Sequence, residues 1–576
     1  MFQRTTKPGE NPDDSSSNTA NSRRRSAPPA SESDSHQEVG VSRVEAFNKQ
    51  LYQSGKRGKL LLWLLAISIG LTMFAYALDM GITTGIFSTL ATSSFGVHSE
   101  LGAVSTASQI IRAVSKPFIG KMADITSRPT TYVVILAFYA VGFAVAASAR
   151  KFASYTVGIC FTSVGKSGLD LLSDIIVADL TPLEWRGFFS ACLSFPFVVT
   201  VPVNGFIAEG FVDNWRWGLG MFAILVPALL VPAIMALYSM QRHGEKAGMA
   251  TMADSKNVRT GVADASPKSF RYWAKLAYQG LIDIDIIGLV ILGLAFSLIL
   301  LPFTLAKKSQ GGWSNPSMIA MLVMGFMCLL IFVLFEVFLA PKPLMTKRIL
   351  KNRAFIAGVI IHTVMVIGAA AKILGYGLLI LSNGNMTQDT VRLVAAQLIF
   401  CLASLNIVGA RVGVQASVPH EDVASIISII TLWSTLGSSI GSAIASVIWT
   451  NQMLDQMREE LPGVPDKTIL AIYGNIKTLR TKYGFMDPIR QGSTRAYAIV
   501  NGHITIASIC LAGLPLIASF FMPNYYLGKQ QNAVNNKGLD GVVVDVPDQR
   551  GEEDESVATQ PKRASLWQKV LAMYRR

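Results

Sequence analysis

The chain has 576 residues, 51% of them hydrophobic and only 15% charged, with a formal net charge of +14. A water-soluble protein carries about 25% charged residues, whereas the apolar residues here gather into runs such as "LLLWLLAISIGLTMFAYAL" (60–78) and "MIAMLVMGFMCLLIFVLF" (318–335), long enough to cross a bilayer. This composition excludes a soluble fold and implies an all-α polytopic membrane protein, in which the positive balance reflects basic cytoplasmic loops and not a nucleic-acid partner, because no basic stripe with interleaved aromatics occurs.

Residues 1–58 are rich in Ser, Asn and Pro, and are expected to form a disordered cytoplasmic tail without a signal peptide. Six apolar segments follow, near 60–79, 101–120, 130–149, 154–177, 187–210 and 217–238, and make an N-terminal bundle over 59–238. A basic loop, 239–280, leads to two extra helices near 284–305 and 317–339, within a linker spanning 281–353. Four further segments near 354–382, 392–411, 423–449 and 503–522 are expected in a C-terminal bundle over 354–525, with an outside loop at 450–502. Residues 526–576 read as a second disordered tail. Lys and Arg crowd the connections 239–280 and 340–353, while the short loop 92–99 has none, so these twelve crossings leave both termini in the cytoplasm.

Ionisable residues inside apolar helices usually face a bundle interior or a water-filled cavity. Asp79 is expected to end the first helix near the outer face, and Arg112 and Lys116 share a face of the second. On the fourth, Lys166, Asp170 and Asp174 are spaced four apart; Lys166 and Asp170 can cancel each other as an i,i+4 pair, leaving Asp174 to take up a proton or to meet a cation. A carboxylate that holds a proton when desolvated and releases it on gaining a cation is what proton coupling needs, although a static salt bridge between helices has the same composition. Asp179, Glu184 and Arg186 fall at the cytoplasmic edge, where gating or packing suits them better than substrate contact. His420, Glu421 and Asp422 open a helix whose N-terminus favours acids. The five cysteines all lie in apolar runs without metal-ligand spacing, so neither a disulfide framework nor a metal site or resident cofactor is expected. No phosphate-binding loop occurs, and an embedded enzyme would need clustered nucleophile and base, whereas His362 and His503 stand in separate helices.

The stretch "GKMADITSR" (120–128) resembles the Gly-x-x-x-Asp-x-x-Gly-Arg signature of the major facilitator superfamily and falls in the expected loop between the second and third helices. The resemblance casts Gly120 as a close-approach position and Asp124 with Arg128 as a charge relay for gating; Ser127 departs from the signature, standing in place of its second Gly. Further stretches resemble the fungal siderophore-iron transporters, a fourteen-helix branch of that superfamily: "YALDMGITTGIFSTL" (76–90), "VGKSGLDLLSDIIVADLTPLEWRGF" (164–188), "NWRWGLGMFAI" (214–224), "LMTKRILKNRAFIAG" (344–358) and "GSSIGSAIASVIWTNQM" (437–453). In that family "RAFIAGVIIHT" opens the ninth helix whereas "VMVIGAAAKILGYGLLIL" resembles the eleventh, and here Thr363 runs straight into Val364. The resemblance thus implies an internal gap near 363/364 that removes one out-and-back excursion, turning fourteen helices into about twelve; an ordinary six-plus-six transporter is the other reading.

The family implies a major facilitator fold and import of a ferric siderophore by proton symport across the plasma membrane, or across an endosomal one. The lipid bilayer and protons are the other expected partners. Asp79, Lys116, Lys166, Asp170 and Asp174 are the candidate coupling residues, and Gly120, Asp124, Arg128, Asp179 and Arg186 the gating ones. In the outer loop, Tyr473, Arg480, Tyr483, Arg490 and Tyr497 offer cation and aromatic contacts to a bulky, often anionic chelate, though a solvated amphipathic loop has the same composition. Two alternatives remain. One is a proton-coupled drug or glutathione antiporter, against which "SFPFVVTVPVNGFIAEG" (194–210) keeps Pro202 and Gly205 but not the antiporter pattern. The other is a truncated product or receptor that does not transport.

Overall fold

The computed structural model describes residues 55–95, 101–246, 285–306, 311–340, 343–363, 408–474 and 486–534, apart from isolated positions, all within the unit Glu38–Arg576. Helix α1 (Gly55–Asp79) continues through π-helical turns at Met80–Phe87 into Ser88–Ser94. There follow α2 (Leu101–Ile125), α3 (Arg128–Ser148), α4 (Phe152–Leu180), α5 (Leu183–Gly210) and α6 (Trp215–Lys246). The linker helices are α7 (Ile286–Leu305) and α8 (Pro316–Leu334), the latter prolonged by a π-turn to Leu339. Then come α9 (Arg353–Thr363), α10 (408–416), α11 (Val423–Glu460), α12 (Asp466–Gly474) and α13 (Pro488–Ser519).

Six helices among the described residues are long and apolar enough to cross a membrane: α1 over Gly58–Ser94, α3, α6, α7, α8 and α11. Helix α5 makes a seventh if Leu183–Thr200 and Val203–Gly210, bent by 56°, count as one span; the bend brackets Pro202, which has no N–H to continue the helical ladder. Helices α2 and α4 fall short of that apolarity because of Arg112, Lys116, Lys121 and Asp124 on one and Lys166, Asp170, Asp174 and Asp179 on the other. These charged helices hold the interior. The segments expected at 354–382 and 392–411 lie mostly in residues 364–407, outside the described set.

Helix α3 lies along α4 and α6, α1 along α6 and α5, and α2 along α4. Helix α2 also packs lengthwise on α11, and this contact joins the two halves of the chain. Only 17% of the most apolar window of α8 is buried, against 61% for α11, so α8 is peripheral and presents Phe326, Met327 and Phe338 outward while α11 is central. Exposed apolar stripes of this kind are stable only in lipid. Close approach sets the α3–α4 contact: a Cβ placed on Gly165 would sit 2.6 Å from Tyr139 Cα, which only a glycine permits.

Three expected boundaries shift. The first helix does not end at Asp79, because that carboxylate finds partners inside the bundle and the helix runs another fifteen residues. The region 450–502, expected as an outside loop, is largely helical over its described residues. Helix α11 continues to Glu460 and α13 begins at Pro488, and their apolar faces close with α12 over a small core of Met453, Met457, Leu461, Ile469, Ile472, Ala496 and Val500. Finally, residues 526–534, assigned from composition to a disordered tail, are packed against the protein, with Gln530, Gln531 and Asn532 buried.

Candidate functional site

Among the described residues, three ion pairs between different helices gather the charges of Asp79, Asp170 and Asp174. Asp79 on α1 is fully buried, and its Oδ1 lies 2.9 Å from Lys166 Nζ on α4. Thr83, one turn along α1, donates from Oγ1 to Asp79 Oδ1 at 2.6 Å and accepts from Lys166 Nζ at 2.8 Å. Tyr139 on α3 donates to Asp79 Oδ2 at 2.7 Å, and Lys166 also sits 5.2 Å from the centre of the Phe143 ring. Each oxygen of this carboxylate therefore has a donor, as a charge at this depth requires.

The second pair joins Lys116 Nζ on α2 to Asp170 Oδ2 on α4 at 2.7 Å. The third joins Asp174 on α4 to Arg411 on α10, and so crosses between the halves of the chain. The expected Lys166–Asp170 pair along one helix does not form. A lysine N-terminal to its acid is the weaker i,i+4 order, and both side chains instead reach neighbouring helices, which gives each a buried partner. Asp174 meets a cation, one of the two roles the sequence left open. Sequence spacing could not have found Arg411, which stands at the end of an apolar segment like any interfacial arginine.

A second cluster lies at the end of the bundle that carries the 120–128 motif. Arg128 Nη1 is 2.7 Å from Asp124 Oδ1, and its Nε is 3.0 Å from Asp179 Oδ2, all three side chains being buried. Arg186 donates from Nη2 to the carbonyls of Ala178 and Thr181 at 2.9 and 3.0 Å, capping the C-terminal turn of α4. Gly120 abuts α11: a Cβ there would stand 2.9 Å from Ser428 Cβ. The departure at Ser127 has a local cause. Its backbone is extended (φ −166°), so no glycine is needed, and its Oγ caps α3 by accepting from the Thr130 N–H.

The outer aromatic and basic residues are engaged in structure. Tyr473, Tyr483 and Tyr497 pack against the small core shared by α11, α12 and α13, and Tyr497 meets the Trp449 ring edge-on at 5.1 Å. Arg490 donates to the Tyr483 carbonyl at 3.2 Å; Arg480 lies outside the described residues. Arg458 bridges Asp455 and Asp466, and Arg495 bridges Glu460. Among the described residues no group of three or more His, Cys, Asp or Glu is placed to hold a metal ion.

Residues 69–448 match the Major Facilitator Superfamily. A siderophore transporter of Zymoseptoria tritici is 50% identical, with 94% of this chain and 91% of that protein covered. The low affinity heme transporter str3 of Schizosaccharomyces pombe is 36% identical over 86% of this chain and 87% of its own length. The siderophore transporter fer7 of Mycosarcoma maydis is 35% identical, covering 88% and 87%. The Z. tritici alignment runs to 599 positions although it takes in only 94% of these 576 residues, so roughly sixty positions of that relative have no residue here, about the length of two crossings with their loops. A multi-pass membrane chain with this match is a transporter and not an enzyme. It belongs to the fungal siderophore transporters of the Major Facilitator Superfamily.

Proposed function

We propose that this chain imports ferric siderophore complexes by proton symport, with both termini in the cytoplasm and the plasma membrane as its site of action. The observation that carries the coupling is Asp79, a fully buried carboxylate held by Lys166, Thr83 and Tyr139 between three helices. A proton on Asp79 removes its attraction to Lys166 and leaves α1 and α4 free to shift, and loss of the proton restores the clasp. Rocking of the halves about a midplane site then exposes the substrate to each side in turn. In this scheme the Gly120–Arg128 end is cytoplasmic, in keeping with the basic connections 239–280 and 340–353, and the Asp174–Arg411 pair closes it. The siderophore and heme named for the relatives support a bulky iron chelate as cargo. Iron travels inside its chelate, so the carrier needs no metal ligands of its own. The test is accumulation of radiolabelled iron from ferric siderophores by uptake-deficient yeast expressing the chain.

A second reading has its own observation. The roughly sixty positions without a counterpart favour loss of two helices from the C-terminal bundle, which we place at 363/364. That loss leaves half of the substrate cavity incomplete, and the chain is then a non-transporting product with an intact N-terminal bundle. Inserting the corresponding segment of the Z. tritici relative after Thr363 separates the two: transport gained only on insertion supports the second reading.

A further inference from the structure

The three acids on the facing sides of α1 and α4 each have a base: Asp79 has Lys166, Asp170 has Lys116 and Asp174 has Arg411. Arg112 is a fourth base. It lies one turn before Lys116 on α2, and its backbone is fixed against α4 by the Ser167 hydroxyl, which donates to the Arg112 carbonyl at 2.7 Å. Its side chain makes no ion pair among the described residues, and its Nε is buried without a hydrogen-bond partner. The charged and titratable groups that feel its field are Tyr76 on α1, Lys116 on its own helix, and Lys166 and Asp170 on α4. Among these described groups the bases outnumber the acids by one, and a buried N–H is normally hydrogen-bonded.

We propose that Arg112 binds an anionic oxygen of the carried chelate, making this a carrier that favours negatively charged ferric complexes over neutral ones. The planar guanidinium suits a free carboxylate at the edge of the chelate, which it grips through two parallel N–H donors. The proposal rests on the transport reading above but is tested apart from it. In the purified full-length chain, Arg112→Gln lowers affinity at least tenfold for a ferric trihydroxamate bearing three free carboxylates and leaves the neutral parent chelate unchanged, while Arg112→Lys retains part of the preference. Equal losses for both chelates, or no loss for either, overturn it. Phenylglyoxal modification of Arg112, read by peptide mass, gives a measure independent of uptake: the anionic chelate protects Arg112 and the neutral one does not. Absence of protection overturns the proposal whether or not iron accumulates in cells.

A separate observation concerns the segment after α13. Helix α5 starts at Leu183 behind Pro182, which has no side-chain group to cap it, so its first N–H groups need other acceptors. Residues 528–530 supply them: Gln530 O accepts from Leu183 N and Gly528 O from Glu184 N, both at 3.0 Å. Three residues on, Ala533 N donates to Ala416 O at 2.9 Å, at the C-terminal end of α10. Tyr525 packs on the cluster of Leu183, Val408, Val412 and Ala416. The strap thus offers carbonyls to a helix N-terminus in one half of the chain and an N–H to a helix C-terminus in the other, matching both dipoles.

We infer that this strap is a latch holding the Gly120–Arg128 face shut, and that it detaches from α5 or α10 when that face opens. The experiment places a single cysteine at Val412, buried under the strap, in a full-length chain whose five native cysteines are replaced by alanine. Maleimide labelling of this site speeds up several-fold when Ala533→Pro removes the N–H bonded to Ala416, and again when the chain is ended at Leu527. Unchanged labelling in both variants overturns the latch. Labelling reads accessibility alone, so the outcome stands even if no chelate is transported.

Discussion

Lys166 Nζ lies 2.9 Å from Asp79 Oδ1, on another helix, and not beside Asp170 one turn along its own. This crossing ties α1 to α4 and, through Tyr139, to α3. Removing one partner of a buried pair leaves an uncompensated charge and costs about 3–5 kcal/mol, whereas removing both is far milder. Asp79→Asn and Lys166→Met are therefore each expected to lower the melting temperature of the purified protein sharply, with the double variant recovering most of the loss. Recovery with Asp170→Asn instead of Asp79→Asn would show that the pairing runs along α4.

Asp174 and Arg411 hold the two halves of the chain together. A double-mutant cycle on Asp174→Asn and Arg411→Gln is expected to give a coupling energy of about 1–3 kcal/mol, read from thermal unfolding. The exchanged pair, Asp174→Arg with Arg411→Asp, should retain more stability than either single reversal. Additive single effects would mean that the two side chains do not meet.

Gly165 packs on the Tyr139 backbone with no room for a Cβ, while Gly205 has nothing within 4 Å of where one would stand. Gly165→Val is expected to destabilise the fold by at least about 1–3 kcal/mol through overpacking. Gly205→Ala should be close to neutral. Detergent-extracted yield and melting temperature distinguish them, and equal behaviour would contradict the α3–α4 packing.

Where α11 turns into α12, the hydrogen bond from Arg458 holds the Asp466 carboxyl below its ordinary value of 3.8. A carboxyl depressed on folding contributes stability that is fully present above the unfolded value and is lost as pH falls through the folded one. The turn at 461–466 should keep its hydrogen-exchange protection, corrected for intrinsic rates, from neutral pH down past 3.8 and lose it only in stronger acid. Arg458→Ala should shift that loss upward toward 3.8. The effect is small because the pair is exposed and screened by solvent.

Much of this architecture was legible in the sequence because lipid allows few solutions: long apolar runs located α3, α6, α7 and α8, and the 120–128 motif located the Arg128 cluster. What was not legible depends on neighbours from elsewhere in the chain. Asp79, followed closely by Thr83 and Thr84, looks like a helix end until Lys166 and Tyr139 are placed around it. Spacing along α4 shows only i,i+4 partners, so it pairs Lys166 with Asp170, whereas each has a better partner on another helix. Residues 526–534 read as tail because Gln, Asn and Lys are polar, yet there the main chain makes the contacts, by satisfying orphan groups at two helix ends. The outer tyrosines and arginines carried a chemical signal for substrate that the structure spends on a small core and its ion pairs.

The most direct test is uptake of radiolabelled iron from a panel of ferric siderophores, neutral and anionic, into siderophore-uptake-deficient yeast expressing the chain at the cell surface. Proton-coupled import predicts accumulation that rises as external pH falls, collapses with a protonophore, and loses its pH dependence in Asp79→Asn. Surface-delivered protein that accumulates no iron from any of them, or that does so regardless of the proton gradient, would contradict it.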